Sequence, residues 1–213
     1  MAALDHIVVG AATLSAGAEA VERWLGVRPT GGGTHVGAGT HNLLLGLGPE
    51  AYLEVIAPDP DQPEPPLPRL FGLDRPEVRT AIAVRPSLIG WVARADSLEG
   101  LAARLGPERL GSPRPMSRGG LSWRFVTPPP ELSFDGLLPP LIVWDGEAAA
   151  GRLPDSGCRL LALEAEHPLA SELSAALDER GLGAVLRPVQ GSRARLVARL
   201  GLPNGGEAVL ASG

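Results

Sequence analysis

The sequence predicts an α+β fold made of two βαβββ modules in tandem, followed by a smaller C-terminal βαββ unit. Three observations carry this. The order strand, helix, extended piece, strand, strand over residues 1–58 returns over residues 87–150. The helical segments of both copies are short and end at a glycine, Gly26 and Gly106. The strands are apolar, β-branched runs separated by proline- and glycine-rich turns, as in Gly48-Pro49-Glu50.

The first strand is Leu4-Asp5-His6-Ile7-Val8-Val9-Gly10. Thr13 or Ser15 then caps a helix over 16–25, with Ala18, Val21, Trp24 and Leu25 at helical spacing. Residues 30–41 are rich in glycine and predict a loop. They are not a phosphate-binding loop, because the Gly-Lys-Ser/Thr ending is missing and no helix pattern follows. Strands over 42–47 and 51–56 form a hairpin and close module one.

Residues 59–86 form a linker, opened by a Pro-, Asp- and Glu-rich stretch and holding a short helix near 76–84. Module two has strands at 88–94, 121–126 and 141–144, and a helix over 98–105 capped by Asp96 or Ser97. A loop is expected at 111–115 and a proline-rich connection over 128–140. The C-terminal unit, 151–213, has strands at 159–165, 184–187, 195–200 and 208–210 and a helix from Pro168 to about Arg180. The turn Asn204-Gly205-Gly206 precedes its last strand.

Composition narrows the function classes. Apolar residues make up 44 % of 213, enough for a packed core. The net charge of −5 comes without any basic block, so nucleic acid is not an expected partner. All 19 basic residues are arginine, a bias typical of a GC-rich genome, so arginine here says less about anion binding than usual. No stretch reaches the roughly 20 apolar residues of a membrane span, and no signal peptide is evident. A cytoplasmic, soluble protein is expected. The single cysteine, Cys158, begins an apolar run and reads as a small buried hydrophobe.

Two polar side chains stand out inside apolar strands, His6 and Glu54. An imidazole and a carboxyl are costly to bury without a partner, and a shared divalent metal would offset that cost. The alternative is a hydrogen-bonded structural pair. Trp91, Trp123 and Trp144 are notable in a chain with 4 % aromatics and could wall a ligand or simply pack the core. Arg94 and Arg124 could anchor a carboxylate, or serve solubility. His35 is expected to be an exposed loop residue. His167, before Pro168, reads as loop or cap chemistry.

Three segments resemble the vicinal oxygen chelate superfamily, in its glyoxalase-like branch. They are Leu4–Val9, the loop His35-Val36-Gly37-Ala38-Gly39-Thr40-His41-Asn42, and Tyr52–Pro58. Residues 89–94 and 141–145 match less closely. The resemblance implies the curved mixed sheets of the glyoxalase/bleomycin-resistance fold, enclosing a pocket for a small molecule. It implies a divalent metal (Zn, Mn, Fe or Ni) held by His6 and Glu54, with Glu54 as the group that moves a proton. The module-two counterparts are Gly90 and Val143, neither of which carries a ligand. Asp145 or His41 could complete the set. His41, Asn42, Trp91, Arg124 and Trp144 become candidate substrate contacts, and a homodimer is an expectation. The activity implied is lyase, isomerase or dioxygenase-type chemistry on a small oxygenated molecule. The competing expectation is a metal-free protein of the same fold that binds or sequesters a ligand.

Overall fold

The structure is a computed structural model and describes residues 2–212. Module one runs β1 (Ala2–Gly10), α1 (Leu14–Leu25), β2 (Thr30–His35), β3 (Thr40–Gly46) and β4 (Tyr52–Pro58). The Thr13 hydroxyl accepts from the Ala16 amide to start α1. Gly26, in the left-handed conformation at φ 74°, ends it and donates back to the Glu22 carbonyl. After α2 (Pro76–Val84), module two runs β5 (Ser87–Ala95), α3 (Glu99–Leu105), α4 (Pro107–Leu110), β6 (Pro113–Arg118), β7 (Leu121–Val126) and β8 (Leu141–Trp144). The C-terminal unit is β9 (Arg159–His167), α5 (Ala170–Glu179), β10 (Val189–Gln190), β11 (Arg195–Gly201) and β12 (Glu207–Ala211).

The two modules share one eight-stranded mixed sheet in the order β2-β3-β4-β1-β5-β8-β7-β6. Antiparallel pairing of β1 with β5 joins the modules at its centre, and β1–β4 and β5–β8 are parallel. The sheet curls until it is nearly a barrel. Its two edges meet: the Arg114 guanidinium on β6 donates to the Gly37 carbonyl just past β2, at 3.2 Å. Meeting edges leave few unpaired strand groups open to other chains.

Strand alternation sorts side chains onto two faces. On the convex face Ile7, Val9, Val55, Trp91 and Ala93 pack with α1, α3 and the separate four-stranded sheet β10-β9-β11-β12 in one continuous core. That core includes Cys158, Leu196, Ala198 and Leu200. On the concave face Val8, Ile56, Val92, Phe125 and Ile142 form a second core under Leu73 and Ile82 of the linker. Burying each such aliphatic side chain stabilises by roughly 1.5–3 kcal/mol, so both faces are firmly specified. The cavity described below opens on the concave side.

Three segments differ from expectation. The glycine-rich stretch contains the edge strand β2 and pairs with β3 from Thr30 to His35. Glycine is what allows it: at Gly32 (φ 82°) a Cβ would lie 2.1 Å from the Asn42 carbonyl oxygen. Residues 113–115 likewise belong to an edge strand, β6, because proline is tolerated where no ladder bond is required of it. Residues 184–187 are not a strand. The Val185 and Leu186 amides both donate to the Leu182 carbonyl, closing helical turns instead.

Candidate functional site

A bulge in β1 creates the site. Leu4 pairs with Ala93 and His6 with Val92, which leaves Asp5 as an extra residue in the strand. Asp5 and His6 therefore both reach the concave side, where alternation would have admitted only one. Both are buried, at 1 % and 3 % exposure. The Asp5 carboxylate sits between two ring nitrogens, His6 Nδ1 at 2.6 Å and Trp144 Nε1 at 2.8 Å. Trp144 thereby ties the end of β8 to the start of β1 across the molecule.

With Nδ1 of His6 held by Asp5, Nε2 faces Glu54 Oε2 at 3.4 Å. Glu54 reaches this point because Val8 pairs with it in parallel β1–β4 register, two residues along from His6 opposite Tyr52 and so on the same face. The Tyr52 ring stacks on the His6 ring at 4.5 Å between centroids. Asn42 donates its amide to Glu54 Oε1, while its carbonyl oxygen accepts from the Gly33 amide. His35, at 3 % exposure, completes the array: Nδ1 meets the Thr40 hydroxyl at 2.9 Å, and Nε2 lies 3.2 Å from the Asn42 amide nitrogen and 3.5 Å from Arg118 Nη1.

The electrostatics follow from this wiring. Burial alone would lower His6, but hydrogen bonds to Asp5 and Glu54 and the charges of both carboxylates outweigh it and raise the imidazole to about 9. Burial alone would raise Glu54, but the hydrogen bond and charge of His6, the charge of His35 and the Asn42 amide bring it down to about 2. At neutral pH the two are an imidazolium–carboxylate pair. His35 goes the other way. Burial, with the positive charges of Arg118 and His6 beside it, lowers it to about 4 against the pull of Glu54, so it is neutral. Burial and the negative charges of Asp5 and Glu54 hold the Tyr52 phenol well above its usual range.

His6, Glu54, Tyr52, His35, Arg118, Trp123 and Trp144 converge on a cavity of ≈ 20 Å³. That is room for about one or two water molecules. Its roof is the 3₁₀ turn Leu70–Gly72 of the linker, whose Phe71 holds φ 56°. A left-handed non-glycine residue costs roughly 1–2 kcal/mol, which makes the roof the least comfortable part of the enclosure. A wider, open groove on the C-terminal unit, lined by Ser171, Ser174, Asp178 and Gln190, shows no comparable convergence of charge.

The structure brings His6, Glu54, Asn42 and Trp144 of the candidate residues together. It does not bring the others there. Trp91 lies on the convex face, fully buried, with its indole N–H donating to the Leu137 carbonyl at 3.0 Å. Arg124 also points to the convex side and is 3.9 Å from the half-exposed Asp145, so neither reaches the cavity. His41 alternates with Asn42 and sits by Asp59 at 3.8 Å. Ile142 and Trp144 face inward from β8, whereas Val143 packs in the convex core. His35 is not an exposed loop residue: β2 turns it inward onto Thr40 and Asn42. Asp5, His35, Tyr52 and Arg118 join the site although the sequence pattern does not place them there. Asp5 was detectable in principle, since two adjacent polar residues in an apolar strand cannot both avoid the core without a bulge.

His6 Nε2 and Glu54 Oε2 are spaced as two ligands of one ion could be. A catalytic zinc site takes three protein ligands, however. The nearest third donor, His35 Nε2, already meets the Asn42 amide and the Arg118 guanidinium, and a cation there would repel a metal ion. Among the described residues no group of three or more His, Cys, Asp or Glu side chains is arranged to hold a metal. The donor set does not fit the implied metal.

A family model described as a glyoxalase-like domain matches residues 4–181. The chain belongs to this family, and with it to the vicinal oxygen chelate superfamily. The match runs through both modules of the glyoxalase-like protein and on through β9 and α5. Among solved structures, a hypothetical protein from Staphylococcus aureus aligns at TM-score 0.60 and 14 % identity, covering 91 % of this chain and 88 % of that one. That likeness shows the fold. Methylmalonyl-CoA epimerase from Mycobacterium tuberculosis aligns at TM-score 0.43 and 18 % identity over 66 % of this chain and 85 % of its own. A Streptomyces coelicolor methylmalonyl-CoA epimerase variant in complex with 2-nitronate-propionyl-CoA aligns at 0.44 and 16 %, over 67 % and 97 %. No curated protein matches the chain. No helix of the glyoxalase-like protein, among the described residues, is long and apolar enough to cross a membrane.

Proposed function

We propose that this protein is a proton-transfer enzyme, of the isomerase or lyase class, acting on a small oxygenated molecule. One observation carries the reading: a buried acid and a buried base, His6 and Glu54, stand 3.4 Å apart at the wall of a small cavity. At neutral pH each is in the state the chemistry needs. Glu54, ionised, takes a proton from a carbon next to a carbonyl. His6, protonated, gives one to the oxygen on which charge develops. A C–H bond breaks and an O–H bond forms; Glu54 then returns its proton to a different carbon of the conjugated enol while His6 takes back the proton from the oxygen, which completes an isomerisation and restores both residues. Asp5 orients the imidazole and stabilises its charge. A substrate oxygen entering between Nε2 and Oε2 weakens the ion pair that holds Glu54 low and so strengthens it as a base. Leu70 and Phe71 border the small cavity, so an organic molecule entering it displaces them.

A second reading, binding without turnover, draws on the same residues. A carboxyl held at about 2 is a weak base, which suits a receptor better than a catalyst. Incubation of the protein in D₂O with a panel of small 2-oxo and 1,3-dicarbonyl compounds, followed by proton NMR, separates the two. Deuterium entering the carbon next to the carbonyl, and lost in Glu54→Gln, supports the enzyme. Line broadening of the compound with no exchange supports the receptor and overturns the enzyme.

A further inference from the structure

Most arginines whose contacts are described pair with carboxylates of their own at the surface, as Arg109 does with Glu179 and Arg199 with Glu164. Arg118 does not. It ends β6 on the concave face, is 9 % exposed, and lines the cavity. Its guanidinium meets His35 Nε2 at 3.5 Å, and its carbon lies 5.8 Å from the Trp123 ring centre. Among the described residues it forms no ion pair with any Asp or Glu. A charge taken out of water without an opposite charge in contact is destabilising by several kcal/mol. The fold nevertheless makes room for it. Gly33 on β2 faces it across the gap between the sheet edges, where a Cβ would come within 3.4 Å of the Arg118 Cγ.

We propose that Arg118 is the anchor for a carboxylate on the molecule the cavity receives, which makes the substrate class a small organic acid. The inference rests on the reading of His6 and Glu54 as the reacting pair. The guanidinium presents a planar fork that a carboxylate meets with two parallel hydrogen bonds. The walls beside it are flat rings, Trp123 and Trp144, which suit a planar group better than a tetrahedral one. Arg118 and Glu54 both lie within a side chain's reach of the same nitrogen, His35 Nε2, at 3.5 and 3.9 Å. An acid held by Arg118 therefore brings carbons close to its own carboxylate toward Glu54. Neutral His35 separates the anchor from the base, so that Glu54 does not capture the guanidinium for itself.

The test is a titration of the full chain with acetate, pyruvate and malonate, with acetamide as the uncharged counterpart and inorganic phosphate as the tetrahedral anion, followed by heteronuclear NMR. The expected result is that the acids shift the His6, His35 and Trp123 signals while acetamide and phosphate do not. Arg118→Met weakens the acids at least tenfold, and Arg118→Lys, which keeps the charge but not the fork, weakens them several-fold. If Arg118→Met does not fold, Arg118→Lys carries the comparison alone. Acids that bind Arg118→Lys and wild type alike, or acetamide that binds as well as acetate, overturn the proposal. Phosphate binding as tightly as the acids overturns the carboxylate class. Failure of the proton-transfer reading looks different: Arg118-dependent acid binding with no deuterium exchange leaves the anchor standing and removes the chemistry.

Discussion

Replacing Glu54 by glutamine keeps the shape of the side chain and one acceptor for the Asn42 amide, but removes the charge that faces His6. The magnitude follows from the imidazole. Its rise from 6.5 to about 9 corresponds to about 3 kcal/mol net, the attraction of Asp5 and Glu54 less the cost of burial. The fall of Glu54 from 4.5 to about 2 is the same attraction seen from its other end and is counted once. Removing one member of a buried pair generally costs about 3–5 kcal/mol, and the isosteric change belongs at the low end. The pH dependence is specific. The raised imidazole contributes its stability fully below 6.5 and loses it as pH rises through about 9. The lowered carboxyl contributes above 4.5 and loses it as pH falls through about 2. Both contributions are in place between 4.5 and 6.5. Urea denaturation at pH 5.5 should show Glu54→Gln less stable by about 3 kcal/mol. At pH 9.5 the deficit should shrink to a fraction of that. Equal stability at pH 5.5, or an undiminished deficit at pH 9.5, refutes the ion-pair assignment.

Three further outcomes are expected. Gly32→Ala places a Cβ 2.1 Å from the Asn42 carbonyl oxygen and 2.7 Å from its side-chain oxygen at φ 82°, so it should cost about 2 kcal/mol or more and lower the midpoint of thermal unfolding by several degrees; an unchanged midpoint contradicts the close packing of β2 on β3. His35, lowered to about 4, contributes stability that is present above 6.5 and lost as pH falls toward 4, so His35→Gln should flatten the stability profile between those values, and a slope that survives the substitution shows that His35 is not the group responsible. Protein purified without chelator should carry no stoichiometric zinc, manganese, iron or nickel by elemental analysis; a stoichiometric metal that disappears in His6→Ala would show that the donor set rearranges around an ion.

The architecture was legible in the sequence because strand alternation and glycine stops act locally. The helix over 76–84, the Gly26 cap and the strands over 121–126 and 141–144 all follow from short-range pattern. The edge strands β2 and β6 were not legible, since their pairing depends on a partner strand and their Gly and Pro content reads as loop. The site was half legible. His6 and Glu54 stand out as polar residues in apolar strands, and the resemblance places them on facing positions. Asp5 left one signal, a second polar residue beside His6 in an apolar strand, but the bulge that turns both inward is announced by no periodicity. Trp91 and Arg124 were misplaced by one residue of register: a strand side chain adjacent to an inward position points outward. Arg118 was hidden by composition, as one arginine among many, and its place in the cavity wall distinguishes it.

The central claim is that His6 and Glu54 hold a proton between them at the cavity wall. Nitrogen-15 NMR of the His6 ring in the unaltered protein at pH 7 reads this directly. Both ring nitrogens should show the shifts of a protonated imidazolium, and should keep them until the pH approaches 9. A neutral ring at pH 7, with an unprotonated Nε2, would contradict the account.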